Sequence, residues 1–124
     1  MTNPEELPIL PATSNLAVVA RETGGSLALH SAPRWLTSAV EVPPDFPLPI
    51  EKGHPLYPFA PLARELFHSR GFLRDYCLEL EAANGDPLIV LVQGGYVENV
   101  SEVVRDGREG EGIVLSLRDV SEVV

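Results

Sequence analysis

The sequence predicts a mainly β domain of the α+β class, in which antiparallel strands carry one short helix and a long, ordered, proline-rich loop. Three observations lead there. From Asp75 onward apolar residues recur at every second position, in Tyr76, Leu78, Leu80 and Ala82, which is the period of a half-buried strand. Gly24-Gly25 and Asn84-Gly85 separate short apolar runs, as the turns of hairpins do. Eight of the twelve prolines lie between residues 32 and 61. They forbid a central strand there, yet they alternate with aromatic residues that a disordered linker lacks.

Taken in order, residues 1–15 read as an extended arm, because Pro4, Pro8 and Pro11 each restrict φ and remove a donor. Pro8 and Pro11 have the spacing of a proline-rich docking motif, but a mobile tail is the plainer reading. Residues 16–124 then form a single domain. Its first part, 16–31, is a hairpin of Leu16–Ala20 and Ser26–His30 around Gly24-Gly25. Residues 32–60 form the proline-rich loop, wrapped over the core, with a turn of helix or strand at Trp35 to Val40. The helix occupies 61–71. Pro61 suits its first turn, Leu62, Ala63, Leu66 and Phe67 share a face, and Gly71 is placed to end it in the left-handed conformation.

Residues 75–124 supply the remaining strands. With Asn84-Gly85 as the turn, Leu80 faces Ile89 and Leu78 faces Leu91. Leu88 to Val92 is apolar on both sides, the pattern of a strand covered on both faces. Val97, Val100 and Val104 have helical spacing, but valine favours pleated sheet, so Tyr96 to Val104 is read as strand. Asp106 to Gly112, with three glycines, is read as a loop, Ile113 to Leu117 as a strand, and Val120 to Val124 as a last short strand. In strand number and spacing this half is similar in outline to small barrels of the SH3 or Sm type. That likeness implies a partly open barrel, with a twisted antiparallel sheet as the other form, and such folds host many functions. Val100-Ser101-Glu102-Val103-Val104 recurs at 120–124; two copies are too few for a repeat architecture, and convergence of two strands is the simpler account.

The composition narrows the function classes. A chain of 124 residues with 44% hydrophobic and 22% charged residues can fold as one domain. Seven acids and six bases fall in residues 1–74, against eleven acids and three bases in 75–124. This acidic C-terminal part disfavours direct contact with nucleic acid or an anionic membrane and favours a partner with a basic face. Cys77 is the single cysteine, so neither an internal disulfide nor a cysteine-based zinc site is expected. The first residues show no basic start followed by an apolar run, and no apolar stretch approaches the roughly 20 residues of a membrane helix. The expected location is the cytoplasm.

No motif carries chemistry outright. His54 lies between Gly53 and Pro55, where a loop can present a ligand or a base, and His68 sits at the helix end. Cys77 has Asp75 and Glu79 beside it, which oppose a thiolate, so it reads as a small buried hydrophobe. Glu79 and Glu81 share one strand face, as paired acid–base carboxylates do, but more simply as a solvated face. Asp106, Glu109 and Glu111 do not match a calcium loop. No metal or cofactor is expected. Trp35, Phe46, Tyr57 and Phe59 either plug the core or form an interface.

The expectation is a small acidic, non-enzymatic interaction or regulatory module, contacting another protein through Trp35, Phe46, Tyr57, Phe59, Glu79 and Glu81. Two alternatives stand beside it. One is a ligand-binding domain or enzyme with a pocket between the proline-rich loop and the sheet, where His54, His68 and Tyr57 converge. The other is a homo-oligomer paired through an exposed C-terminal strand.

Overall fold

The protein is described by a computed structural model covering residues 15–121. The N-terminal arm before Asn15 and residues 122–124 lie outside the described residues. The elements are β1 (Leu16–Arg21), β2 (Leu27–Ser31), α1 (Arg34–Ala39), β3 (Leu48–Pro49), α2 (Phe59–Ser69), β4 (Phe72–Glu81), β5 (Pro87–Arg105) and β6 (Arg108–Asp119). The fold is mainly β. Among the described residues, six strands make one open sheet in the order β3-β2-β1-β6-β5-β4, with every neighbouring pair antiparallel.

One face of the sheet carries the main core. Val19, Leu29, Val90, Val92, Ile113 and Leu115 pack there against Leu36 of α1 and Phe59, Ala63 and Leu66 of α2. The helices fill the space that a barrel interior would need, and β3 and β4 remain as separate edges. An open sheet, rather than a barrel of the SH3 or Sm outline, is therefore what these strands form. The β3 edge is blunted. Leu48 and Ile50 turn their N–H groups toward β2, as the Ile50 N–H to Leu27 carbonyl bond of 3.1 Å fixes. The outward positions then fall on Pro47 and Pro49, which have no N–H.

Several expectations are corrected. The described residues hold two helices, not one: α1 forms inside the proline-rich stretch because residues 34–42 contain no proline, and Pro33 sits at its N-cap. At the end of α2 it is Arg70, with φ 53°, that turns left-handed. Gly71 follows outside the left-handed region, and its carbonyl accepts the Tyr96 N–H at 3.0 Å. Asn84-Gly85 does turn the β4–β5 hairpin, but with a three-residue loop closed by the Ala82 N–H to Asp86 carbonyl bond of 2.9 Å. The register moves by one. Leu80 faces Leu88 and Leu78 faces Val90, so Leu88, Val90 and Val92 go into the core and Ile89 and Leu91 stay half-buried.

The segment read as a loop from Asp106 to Gly112 is mostly strand. Only Asp106-Gly107 turns, with φ 53° and 75°, the signature of a two-residue hairpin turn. Gly110 and Gly112 lie in β6 because a Cβ there would press on Val103 and Val100 at 3.1 and 3.2 Å. Those valines belong to a second, smaller core with Val18 and Ala20 on the sheet's other face. The tip of the β5–β6 hairpin thus covers the back of β1, whose four central residues are buried on both sides. Register shifts between Val97 and Val100 and between Val100 and Val104 turn Val100 and Val103 to the same side, which is why strand valines imitate helical spacing. Val120 and Ser121 follow the end of β6 and are not strand. In the described part, then, the second copy of the repeated pentapeptide does not match the strand position of the first. β6 itself lies between β1 and β5 and is not an edge.

Two glycines set how closely the strands approach. A Cβ on Gly94, at φ +138°, would collide with the Val114 carbonyl oxygen and come within 2.9 Å of Leu115 Cα, while one on Gly95 would strike the Gly71 carbonyl. Gly24, at φ +96°, faces open space. Gly94→Ala is therefore expected to cost about 3 kcal/mol or more, and Gly24→Ala only about 1 kcal/mol, for backbone conformation alone. Urea unfolding of the two variants beside the wild type checks the difference.

Candidate functional site

An open groove of about 800 Å³ runs along the outer edge of β4. Its floor is the strand end from Glu79 to Ala83, and its opposite wall is the turn holding Gly53, His54, Tyr57 and Pro58, with Val40 at the side. The walls follow from the sequence. Pro55 and Pro58 limit the 52–58 segment to tight turns, closed by the His54 N–H to Glu51 and Tyr57 N–H to His54 carbonyl bonds of 2.9 Å each. Leu56 and Phe59 anchor this turn, both at 0% exposure.

The free edge is defined atom by atom. The Ala82–Asp86 bond and the pairing of β4 with β5 direct the main-chain groups of Leu78 and Leu80 toward β5. Those of Cys77, Glu79 and Glu81 point outward and have no partner among the described residues. The next outward donor, the Ala83 N–H, is taken by the Ala39 carbonyl at 2.9 Å, so the end of α1 closes this edge. Leu78 and Leu80 turn into the core, and Glu79 and Glu81 project from the other face as an exposed rim.

The His54 ring has a fixed orientation in the wall. Its Nδ1 accepts the Leu56 N–H at 3.0 Å, so the neutral ring carries its proton on Nε2. Desolvation lowers its pKa below the usual 6.5, against the opposing pull of Glu51. The groove can thus offer a neutral imidazole donor, a tyrosine, two carboxylates and a row of main-chain donors and acceptors.

Of the residues singled out from the sequence, His54, Tyr57, Glu79 and Glu81 come together here. His68 does not; it is exposed at the far end of α2, beside Arg64, Phe67 and Leu27. Trp35 is half-buried against the core, and its Nε1–H donates to Asn15 Oδ1 at 3.0 Å. Phe46 is exposed, while Phe59 is wholly buried and has no surface to offer a partner. Cys77 is exposed, not buried, because it falls on the outer face of the edge strand. The sequence reading missed Ala39 and Val40, since nothing in their type marks them. It also missed Phe72 and Tyr76, which stand 66% and 43% exposed at the start of β4. Among the described residues, no group of three His, Cys, Asp or Glu side chains could hold a metal ion, and no helix is long and apolar enough to cross a membrane.

A second polar cluster lies near the C-terminal end of α2. The Tyr96 hydroxyl donates to Glu111 Oε2 at 2.6 Å, and Arg21 donates to Glu111 Oε1 at 3.0 Å. The Arg21 guanidinium also covers the Phe67 ring at 4.6 Å, and Phe67 meets Tyr96 edge-on at 6.2 Å. The Tyr96 and Arg21 hydrogen bonds hold the Glu111 carboxyl below its ordinary range, and the same bond to Glu111 raises the Tyr96 phenol. This cluster joins β1, β5, β6 and α2 and seals the core margin. On the outer face His30 bridges the Glu22 carboxylate at 2.8 Å and the Glu102 carbonyl at 3.2 Å, fastening the hairpin tip to β2.

Compared with models of known protein families and with curated proteins, the sequence has no match, so function must be read from this geometry.

One titration tests the groove wall and another the second cluster. The lowered His54 pKa means that the unfolded chain takes up the proton first. His54's contribution to stability is therefore present above 6.5 and is lost as pH falls through its folded-state value. His54→Gln is expected to flatten the fall in stability below pH 6.5, as measured by urea unfolding on either side of it. Tyr96→Phe is expected to move the Glu111 midpoint up toward the ordinary glutamate range, as followed by carboxyl carbon NMR.

Proposed function

We propose that this chain is a protein-interaction module whose working surface is the β4 groove. The observation that carries this reading is the edge itself. An outward row of main-chain donors and acceptors at Cys77, Glu79 and Glu81 lies beside a ready-made concavity and an acidic rim. Exposed long edges invite pairing with another chain, and surface carboxylates favour a partner with a basic face. The groove's apolar wall of Val40, Tyr57 and Pro58 offers the contact area that a charged rim alone does not. The charge of −9, concentrated in the C-terminal part, draws a basic partner toward the same molecule at long range.

A second reading is favoured by one observation, the fixed His54 imidazole in the groove wall. A small ligand with an acceptor group for the Nε2–H would use the same concavity, and Tyr57 with Glu79 or Glu81 would supply the other contacts. The open shape of the groove gives the interaction reading precedence, since small-molecule sites enclose most of their ligand.

The test is quantitative capture from an extract of the source cells, comparing wild type with the Glu79→Lys/Glu81→Lys double variant. Both positions are exposed, so stability should change by no more than about 0.5 kcal/mol. Loss of at least about tenfold in the captured partner is expected. Equal capture by both proteins at several salt concentrations would defeat the proposal.

A further inference from the structure

Resting on that reading, we infer that the partner enters as an extended basic peptide, adding to β4 as a seventh, antiparallel strand. Three features of the edge carry this. The outward positions Cys77, Glu79 and Glu81 alternate along an edge that no other strand pairs among the described residues, which matches the period-two bonding of an added strand. The Ala39 carbonyl already occupies the Ala83 N–H, so the edge has a defined stop and the added segment a defined register. The two faces of the edge differ in chemistry. Glu79 and Glu81 stand on the outer side and have no ion-pair partner among the described residues. Leu80, Val40, Tyr57 and Pro58 line the inner side.

An antiparallel strand places each residue opposite a β4 residue, with the two side chains on the same face. The peptide residues opposite Glu79 and Glu81 are therefore basic, and the residue between them, opposite Leu80, is apolar and turns toward Tyr57 and Pro58. The recognised pattern is basic–apolar–basic. The main chain of each basic residue exchanges N–H and C=O bonds with Glu79 or Glu81, while the apolar residue's N–H points away. A second copy of this chain is the poorer occupant, because β4 pairing with itself would bring Glu79 and Glu81 near their own counterparts.

The experiment is an amide NMR titration of the full chain with an acetylated, amidated peptide of alternating lysine and valine. Saturable shifts and slowed exchange are expected at the Cys77, Glu79 and Glu81 amides, with Leu78 and Leu80 unchanged because they already bond to β5. Methylating the lysine main-chain nitrogens should weaken binding about tenfold or more, since each lost bond is replaced by a clash. Methylating the valine nitrogens should leave it within about threefold. Glu79→Lys/Glu81→Lys should transfer the preference to an alternating glutamate–valine peptide. Unaltered exchange at the three outward amides, or equal sensitivity to both methylation patterns, would overturn strand addition. If that happened while the double variant still lost its cellular partner, the interaction reading would survive without this mode of binding. Sedimentation of the chain alone covers the other occupant: a dimer that itself protects these three amides would overturn the peptide in favour of a second copy.

Discussion

The sheet depends on a backbone approach that only glycine permits. At Gly94 and Gly95 the longest strand passes between β4 and β6, and on both sides the space a side chain would take is filled by a neighbour's main chain. Pinching three strands at one point fixes where β4 begins, through the Tyr96 N–H to Gly71 carbonyl bond, and where β6 crosses toward β1. Everything outward from that point follows. On one side β5 runs on into the hairpin that folds over the back of β1; on the other it carries β4 to the rim of the molecule.

The candidate site is a by-product of how the proline-rich stretch is used. Those residues cannot extend the sheet beyond the short β3, so they cross over the helical face and return at α2. On the way they leave two fixed points beside β4: the end of α1, bonded to Ala83, and the 52–58 turn, anchored by Leu56 and Phe59. Neither covers the strand. The edge stays open because its nearest neighbours are held a groove's width away by their own buried anchors. Among the C-terminal acids, Glu111 is engaged by Arg21 and Tyr96, whereas Glu79 and Glu81 have no such partner among the described residues.

What the sequence made legible was local. The β class, the α2 face of Ala63, Leu66 and Phe67, and the turns at Gly24-Gly25 and Asn84-Gly85 all came from short-range pattern. Register did not, because Asn-Gly serves two-residue and three-residue loops alike, and a difference of one residue exchanges Ile89 and Leu91 for Leu88 and Val90 in the core. Gly110 and Gly112 signalled a loop because glycine has two uses, flexibility and absence of bulk, and only the packed valines reveal which applies. Of the site, His54, Tyr57, Glu79 and Glu81 were legible as residues, but their meeting was not. It depends on contacts between segments far apart in the chain, as does the union of Arg21 with Glu111 across 90 positions. Phe59, which the sequence left open between core and interface because it sits among prolines, is the anchor beneath them.

The unlike ends of the sheet limit what the molecule can build. At the β3 end the outward positions are Pro47 and Pro49, which cannot donate; at the β4 end the outward main-chain groups of Cys77, Glu79 and Glu81 have no partner among the described residues. If the β4 rim is the receptive one, as proposed, the unit formed by the described residues has a valence of one. Under the strand addition proposed above, it accepts a single extension and then terminates, which suits finite complexes and not filaments.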